Sequence, residues 1–312
     1  MFKKILKGLL YLLIFLLIIP YVIPTDYETE VPEKPYDNSV FFTTSEGVRL
    51  HARIFPAVGE EKGKIVLIHG LMASTFSYRN NSQDLSDHGY TVVAVDLPGF
   101  GYSDKPSSLN YTQANFAKYV WELLDDVDQT LNDGSPWHVV GHSMGASTAL
   151  AMAIQQKNRI ADITMIDGAV TQSSNSMGWL MGTPVGAWLK VVLRYFMLNE
   201  ANFRKLLTDV YQKDVPQEAV DGYLAPVLTR GTINGLVRFV QTSKNVTIDQ
   251  VKGMNLKINL IWGGKDTWVP IDAMAQIEAA VTVNKTYVFP DAGHTPHETE
   301  AGFNAVLLGM LE

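Results

Sequence analysis

The chain has 312 residues, of which 46% are hydrophobic and 18% charged, a composition typical of a globular protein rather than a disordered one. Its formal net charge is −7, and basic residues cluster only within the first seven positions, which argues against nucleic acid as a partner. Cysteine is absent, which excludes disulfides, thiolate metal sites and a cysteine nucleophile.

The N-terminus begins with a basic segment, in which Lys3, Lys4 and Lys7 precede an apolar run that extends to Ile23. As a helix, residues 8–23 would measure roughly 24 Å, short for a bilayer span. Acidic residues follow, so the lysines are expected on the cytoplasmic side. We interpret residues 1–24 as an uncleaved, single-pass transmembrane anchor in the cell membrane, with the folded domain on the extracytoplasmic side. A cleaved signal, which would leave a secreted or periplasmic protein, and a buried core helix are the alternatives.

Residues 25–39 combine prolines with acidic residues and predict a short extended tether. Beyond it, β-branched runs alternate with amphipathic stretches. The runs predict a hairpin at 40–44 and 48–54 and buried strands at 64–68, 90–95, 137–140, 163–166, 258–262 and 286–289. The amphipathic stretches predict helices at 76–85, 112–129, 146–156, 271–281 and 298–311. This alternation predicts an α/β fold with a mostly parallel sheet covered on both faces.

Residues 171–245 break the alternation, because they carry a helical pattern without a convincing strand and are rich in aromatic side chains. They lie between two predicted sheet strands. We interpret them as a helical cap inserted into a core made of residues 40–170 and 246–312. The cap is strongly apolar, which favours a hydrophobic acyl or alkyl group as ligand over a highly charged one.

A candidate nucleophile lies in the run Gly141-His142-Ser143-Met144-Gly145, between a predicted strand and a predicted helix. Glycines two positions before and after the serine permit a sharp strand-to-helix turn that exposes its hydroxyl, the geometry of a nucleophile elbow. The following helix N-terminus adds positive potential. We therefore predict that Ser143 is a nucleophile.

A nucleophilic serine needs a base, and His294 is the best candidate of seven histidines because its loop directly follows the last predicted strand. His297 is closer to the next helix and is expected to be structural. The base in turn needs a carboxylate that orients the imidazole. Asp266, which follows a pair of glycines at the end of the preceding strand, is the candidate, and Asp167, at the end of the strand before the cap, is the alternative.

Five motifs occur in order along the chain: Ile68-His69-Gly70-Leu71, Asp96-Leu97-Pro98-Gly99-Phe100-Gly101-Tyr102-Ser103, Gly141-His142-Ser143-Met144-Gly145, Trp262-Gly263-Gly264-Lys265-Asp266 and Gly293-His294-Thr295-Pro296-His297. In order and spacing they resemble the α/β-hydrolase superfamily, in particular its lidded, esterase- or lipase-like serine hydrolases, over nearly everything after residue 40. The resemblance implies an eight-stranded sheet with a helical cap inserted after strand six. It also implies an oxyanion hole built from the backbone N–H groups of Leu71 and Met144.

These residues predict a serine hydrolase that cleaves carboxylic esters of hydrophobic small molecules through an acyl-enzyme. A carbon–carbon bond hydrolase of the meta-cleavage type, a lactonase with the same triad and a non-catalytic, membrane-tethered binding protein are the alternatives. We interpret four further residues as substrate-binding: His142, Trp268, Trp179 and Trp188. No cofactor and no metal are predicted, because the two histidines of the last motif lack a recognised ligand spacing. The oligomeric state is left open.

Overall fold

The computed structural model describes residues 2–171 and 178–312, so residues 172–177 of the predicted cap lie outside the described residues. Eight strands form one sheet: β1 (Ser39–Thr43), β2 (Arg49–Phe55), β3 (Gly63–Ile68), β4 (Tyr90–Val95), β5 (Trp137–His142), β6 (Ile160–Ile166), β7 (Ile258–Gly263) and β8 (Lys285–Phe289). Their order is β1-β2-β4-β3-β5-β6-β7-β8. The pairs β1–β2 and β2–β4 are antiparallel and all others are parallel. The predicted mostly parallel sheet with an opening hairpin is confirmed.

The central strands are buried on both faces because helices cover each side of the sheet. Alternate side chains of a strand point to opposite faces. Accordingly, Val66 and Ile68 of β3 belong to one apolar cluster and Ile65 and Leu67 to another. The first cluster includes residues of α3 (Gln113–Leu131), α4 (Met144–Gln156) and α9 (Asp272–Ala280), and the second those of α2 (Ser82–Asp87) and α11 (Phe303–Leu311). Near-continuous Val, Ile and Leu runs are typical of such doubly covered strands.

Among the described residues between β6 and β7, four α-helices form the cap: α5 (Pro184–Val192), α6 (Glu200–Tyr211), α7 (Gln217–Val227) and α8 (Thr232–Thr242). A π-helical turn, Leu193–Met197, joins the first two. Phe203, Leu207 and Val220 are buried in an apolar cluster of the cap that also includes Phe76 of the core. The cap therefore has packing of its own and is attached to the core near the carboxyl ends of the strands.

The N-terminal helix α1 (Phe2–Ile18) has 17 residues, and every one of them is exposed. Among the described residues, no helix combines the length and apolar character required to cross a membrane. The predicted transmembrane anchor is therefore not supported, and the alternative of a buried core helix is wrong. A physical reason for the short helix is Pro20, which lies in a 3₁₀ turn (Ile19–Tyr21) directly after α1.

The stretch predicted to be a tether lies against the cap. Tyr27 is buried, and Asp26 Oδ1 accepts a hydrogen bond of 2.7 Å from the backbone N–H of Gly231. The hydroxyl of Tyr195 donates to the backbone oxygen of Pro24 at 2.6 Å. These contacts hold the end of the N-terminal segment on the cap. The remaining helix is α10 (Pro296–Thr299), which leads from the last loop towards α11.

Candidate active site

Ser143 occupies a sharp turn between β5 and α4. Its φ of +50° and ψ of −116° are sparsely populated for a non-glycine residue, a strain that is typical of functional sites. The turn is tied to the end of β6, since the Ser143 N–H donates to Ile166 O at 2.9 Å. A Cβ at Gly145 would lie 2.2 Å from Ile68 O, so only glycine permits this approach of α4 to β3. The elbow predicted from the glycine spacing is thus present.

His294 and Asp266 form a hydrogen-bonded pair after β8 and β7. His294 Nδ1 donates to Asp266 Oδ2 at 2.7 Å, which leaves Nε2 as the basic nitrogen. Asp266 Oδ1 accepts from the backbone N–H groups of Trp268 at 2.7 Å and Val269 at 3.0 Å. Burial opposes ionisation, but these donors and His294 outweigh it and lower the pKa of the Asp266 carboxyl. Ser143 and His294 line the same cavity.

Asp167, the alternative acid, lies beside Asp266 but has a different environment. It is fully buried, and its Oδ1 accepts from Gly263 N–H at 2.8 Å. Its Oδ2 has no hydrogen-bond partner among the described residues. Burial, followed by the Asp266 charge, raises the pKa of Asp167 well above its ordinary 3.8 and so favours its neutral form. Asp266, not Asp167, is bonded to His294.

One oxygen from each of these two aspartates and one His294 nitrogen lie within 4.8 Å of one another, close enough for metal ligands. However, His294 Nδ1 already donates to Asp266, and burial favours the protonated form of Asp167. A metal ligand must be deprotonated. The cluster therefore suits proton transfer better than metal binding, and the absence of a metal stays a prediction.

The loop after β3 carries Leu71, the first predicted oxyanion donor. His69 anchors this loop, since its Nδ1 lies 2.7 Å from Gly70 O and its Nε2 accepts from Leu97 N–H at 3.0 Å. A Cβ at Gly70 would lie 2.8 Å from His142 Nδ1 and 3.2 Å from Ser143 Cβ. The loop therefore lies directly against the elbow. Met144, the second predicted donor, is the first residue of α4.

Asp96, in the second motif, stabilises the loops around the candidate site through buried hydrogen bonds. It is fully buried and accepts from His51 Nδ1 at 2.7 Å, Thr75 N–H at 2.6 Å and Tyr102 N–H at 2.8 Å. Burial would raise the pKa of the Asp96 carboxyl, but His51, His69 and the Tyr102 N–H outweigh burial and lower it. The motif thus joins β2, β4 and the loops around the site.

His142, predicted to bind substrate, contacts His294 and lines the cavity. Its Nε2 donates to the backbone oxygen of His294 at 2.8 Å. Burial, with a contribution from His294, lowers the pKa of the His142 ring to about 3, so it is neutral. Its Nδ1 has no partner among the described residues. His142 therefore supports the backbone of His294 and also presents an acceptor beside the elbow.

The cavity at Ser143 has a volume of about 180 Å³. Its lining combines loop residues of the core with one face of α6 and one residue of α7: Leu71, Met72, Ala73, His142, Ser143, Phe203, Leu206, Leu207, Val210, Tyr223, Trp268, His294 and Thr295. No Asp, Glu, Lys or Arg is among these described lining residues. The site is therefore suited to an uncharged, apolar group.

Of the three tryptophans predicted to bind substrate, only Trp268 lines the cavity. Its ring stacks on His294 with a centroid distance of 6.1 Å, and its Nε1 donates to Asp209 of the cap at 2.8 Å. Trp179 is 74% exposed, and Trp188 Nε1 donates to Leu16 O of α1 at 2.9 Å. The structure does not bring these two to the cavity, because the cap turns them outward. Sequence inspection instead missed the inward face of α6, although Phe203, Leu207 and Val210 follow helical spacing.

Residues 64–301 match the family described as alpha/beta hydrolase fold. Because the match covers most of the chain, the protein belongs to this family and is a hydrolase of the α/β fold. It is 27% identical over 255 residues to the uncharacterized hydrolase YugF of Bacillus subtilis (strain 168), covering 80% of this chain and 89% of that protein.

Two further similarities are to proteins whose names describe different chemistries. The 2-hydroxy-6-oxononadienedioate/2-hydroxy-6-oxononatrienedioate hydrolase of Escherichia coli (strain K12) is 22% identical over 298 residues, which covers 90% of this chain and 98% of that protein. The solved structure of an esterase from Exiguobacterium antarcticum superposes with a TM-score of 0.69 at 18% identity, covering 87% of this chain and 98% of the esterase. At this identity the second similarity establishes the fold alone.

Proposed function

We propose that this protein hydrolyses carboxylic esters of small hydrophobic molecules through an acyl-enzyme formed on Ser143. The observation that carries the proposal is the pairing of His294 with Asp266 at 2.7 Å beside a cavity that Ser143 shares with apolar side chains. At about 180 Å³ the cavity is smaller than the 300–1,000 Å³ of most ligand pockets. A short acyl group is therefore the expected occupant.

The proposed reaction begins when His294 Nε2 takes the proton of Ser143 Oγ as that oxygen bonds to the ester carbonyl carbon. The N–H groups of Leu71 and Met144 stabilise the resulting oxyanion, and losing one such donor typically costs about 3–4 kcal/mol. The carbon–oxygen bond to the alcohol then breaks, and the leaving alkoxide takes the proton from His294. Water attacks the acyl-enzyme, gives its proton to His294, and the acid is released as Ser143 regains its proton.

Carbon–carbon hydrolysis by the same residues is the second candidate, since an Escherichia coli relative is a 2-hydroxy-6-oxononadienedioate hydrolase. A dioate carries two carboxylates, which a site normally binds with Arg or Lys. The described cavity lining contains neither. Ester hydrolysis is therefore favoured over cleavage of such an acid, and lactone opening is a variant of the same ester chemistry.

A fluorophosphonate probe and a substrate series test this proposal. The probe should label the wild type and leave Ser143→Ala unlabelled; an unlabelled wild type would favour the non-catalytic binding protein. Among p-nitrophenyl esters, we expect kcat/KM to be highest for short acyl chains and to fall for long ones. Turnover of a 2-hydroxy-6-oxo-dienoate without turnover of any ester would instead establish the carbon–carbon hydrolase.

We also propose that α1 attaches the protein to the surface of a lipid membrane. All 17 residues of α1 are exposed, most are apolar, and its first two turns contain Lys3, Lys4 and Lys7, which suit anionic lipid headgroups. Flotation with phosphatidylglycerol vesicles should carry the wild type upward and leave a Leu10→Glu/Leu13→Glu variant behind. A wild type that stays at the bottom would contradict the proposal. The extracytoplasmic location stays a prediction.

A further inference from the structure

A buried carboxylate joins the cap to the segment that carries His294. Glu298, in α10, lies four residues after His294, and its side chain has no exposure to solvent. Three side chains donate to it. Arg79 of the core bonds to Oε2, Tyr211 donates to Oε2 at 2.7 Å, and Tyr223 donates to Oε1. A buried carboxylate requires such partners, because ionisation without them is strongly unfavourable.

The donors come from different parts of the fold. Arg79 follows a 3₁₀ turn of the core (Thr75–Tyr78), whereas Tyr211 ends α6 and Tyr223 lies within α7. The Arg79 guanidinium also lies 4.3 Å from the centroid of the Phe76 ring, which meets Tyr223 edge-on at 5.6 Å. Two cap helices are therefore fixed to one carboxylate of the core. We call Arg79, Glu298, Tyr211 and Tyr223 the cap latch.

The same end of α6 holds the backbone of the candidate base. The N–H of His294 donates to Val210 O at 2.8 Å, and Val210 precedes a latch tyrosine directly. A Cβ at Gly293 would lie 2.5 Å from Val210 O, so the two segments are in tight contact. Val210 and Tyr223 also line the cavity. Any movement of the cap away from Glu298 would thus shift His294 and change the shape of the cavity.

We propose that Glu298 is a positioning residue that holds the cap closed on the core and, through the end of α6, keeps His294 in register with Ser143. The inference rests on the ester hydrolysis proposed above. In that reaction, proton transfer needs His294 Nε2 within hydrogen-bonding reach of the serine oxygen, and small displacements are costly. The cap latch keeps His294 aligned with Ser143, although none of its four residues takes part in the reaction.

The test removes the cap's hydroxyl groups while the Arg79–Glu298 ion pair stays intact. Tyr211→Phe, Tyr223→Phe and the double variant are compared with the wild type, with Tyr195→Phe as the control. That control also removes a cap hydroxyl, but one that bonds to Pro24 O and not to Glu298. Initial rates with p-nitrophenyl butyrate are normalised to the sites labelled by a fluorophosphonate, so misfolded protein does not contribute.

We expect each latch substitution to lower kcat per labelled site by roughly tenfold, the double variant to lose more, and the control to stay within about twofold. Hydrogen exchange at the His294 amide should become faster in the double variant only. A merely structural role would reduce the labelled fraction and the melting temperature without changing kcat per site or this exchange rate. Such a result would overturn the latch, as would equal effects of Tyr195→Phe.

Glu298→Gln provides a second measurement, since the amide oxygen can still accept from the tyrosines although the charge is lost. We expect its kcat per labelled site to lie between those of the wild type and the double tyrosine variant; wild-type kcat in both variants would contradict the inference. Failure of the underlying function is recognised separately. In that case the wild type itself would show neither labelling nor ester turnover.

Discussion

Replacement of Asp167 by asparagine should stabilise the folded protein by an amount that increases with pH. In the folded chain, burial and the neighbouring Asp266 raise the pKa of the Asp167 carboxyl well above 3.8 and so favour its neutral form. The unfolded chain ionises near that ordinary value. Above it, the unfolded state has lost a proton that the folded state retains, so stability falls as the pH rises towards the folded pKa. The contribution is fully present only below pH 3.8.

The size of this effect follows from proton linkage. One unmatched proton changes the free energy of unfolding by about 1.4 kcal/mol per pH unit. Asparagine has no carboxyl to titrate, and its side chain keeps the size of aspartate and an oxygen that can accept from the Gly263 N–H. The stability difference between Asp167→Asn and the wild type should therefore grow by at most about 1.4 kcal/mol per pH unit between pH 3.8 and the raised pKa of the folded state.

Urea unfolding of both proteins at pH 5, 6 and 7 measures this difference directly. The slopes of the free energy of unfolding against urea concentration should agree between the two proteins. The difference in stability should then appear only as a difference in the unfolding midpoints. At pH 3, below the ordinary pKa of 3.8, only a constant offset should remain, which serves as the internal control. A difference that stays the same at all four pH values would refute the view that Asp167 is neutral in the folded state.

Three further substitutions test other parts of the structure. Lys64 is fully buried, and its Nζ lies 2.6 Å from Asp128 Oδ1. Lys64→Met should therefore lower the free energy of unfolding by about 3 kcal/mol in urea titrations. An unchanged midpoint would show that the ion pair contributes nothing to stability. Gly145→Ala places a Cβ 2.2 Å from Ile68 O. The folded variant should be labelled by the fluorophosphonate at least about tenfold more slowly than the wild type. Normal labelling would mean that the elbow tolerates the methyl group. Leu207 is buried and lines the cavity, so Leu207→Ala should destabilise the fold by about 2–5 kcal/mol. Because the substitution enlarges the cavity, the best p-nitrophenyl ester should have a longer acyl chain. An unchanged chain-length profile would place the acyl group elsewhere.

The strands could be predicted closely because their signal is local. Residues 90–95 were expected as a buried strand, and β4 is Tyr90–Val95, with all six residues buried. Helical predictions were less accurate where long-range contacts intervene. The helix expected at 76–85 is instead a 3₁₀ turn followed by α2. Between them, Asn81 Nδ2 donates to His297 O, 216 residues away, at 3.0 Å. Such a contact leaves no trace in local periodicity.

The candidate site likewise contains residues that local sequence predicts and residues that only long-range contacts reveal. Ser143, Asp266 and His294 each lie directly after a strand, in motifs whose glycines and loop position carry information. The sequence around Glu298 and Arg79 gives no comparable information, because a charged residue near a helix start is ordinarily exposed to solvent. Their ion pair joins positions 219 residues apart and becomes visible only in the folded structure.

The sequence by itself therefore determined the sheet, its covering helices, the cap between β6 and β7 and the residues at the strand ends, because hydrophobic period and glycine placement act over a few positions. The tertiary structure alone decided which aspartate pairs with His294, since that depends on which carboxylate the strand ends bring to Nδ1. It also decided which cap residues face the cavity. Trp179 and Trp188 have the right chemistry for substrate binding, but the packing of the cap turns them outward, while α6 directs Phe203 and Leu207 towards Ser143.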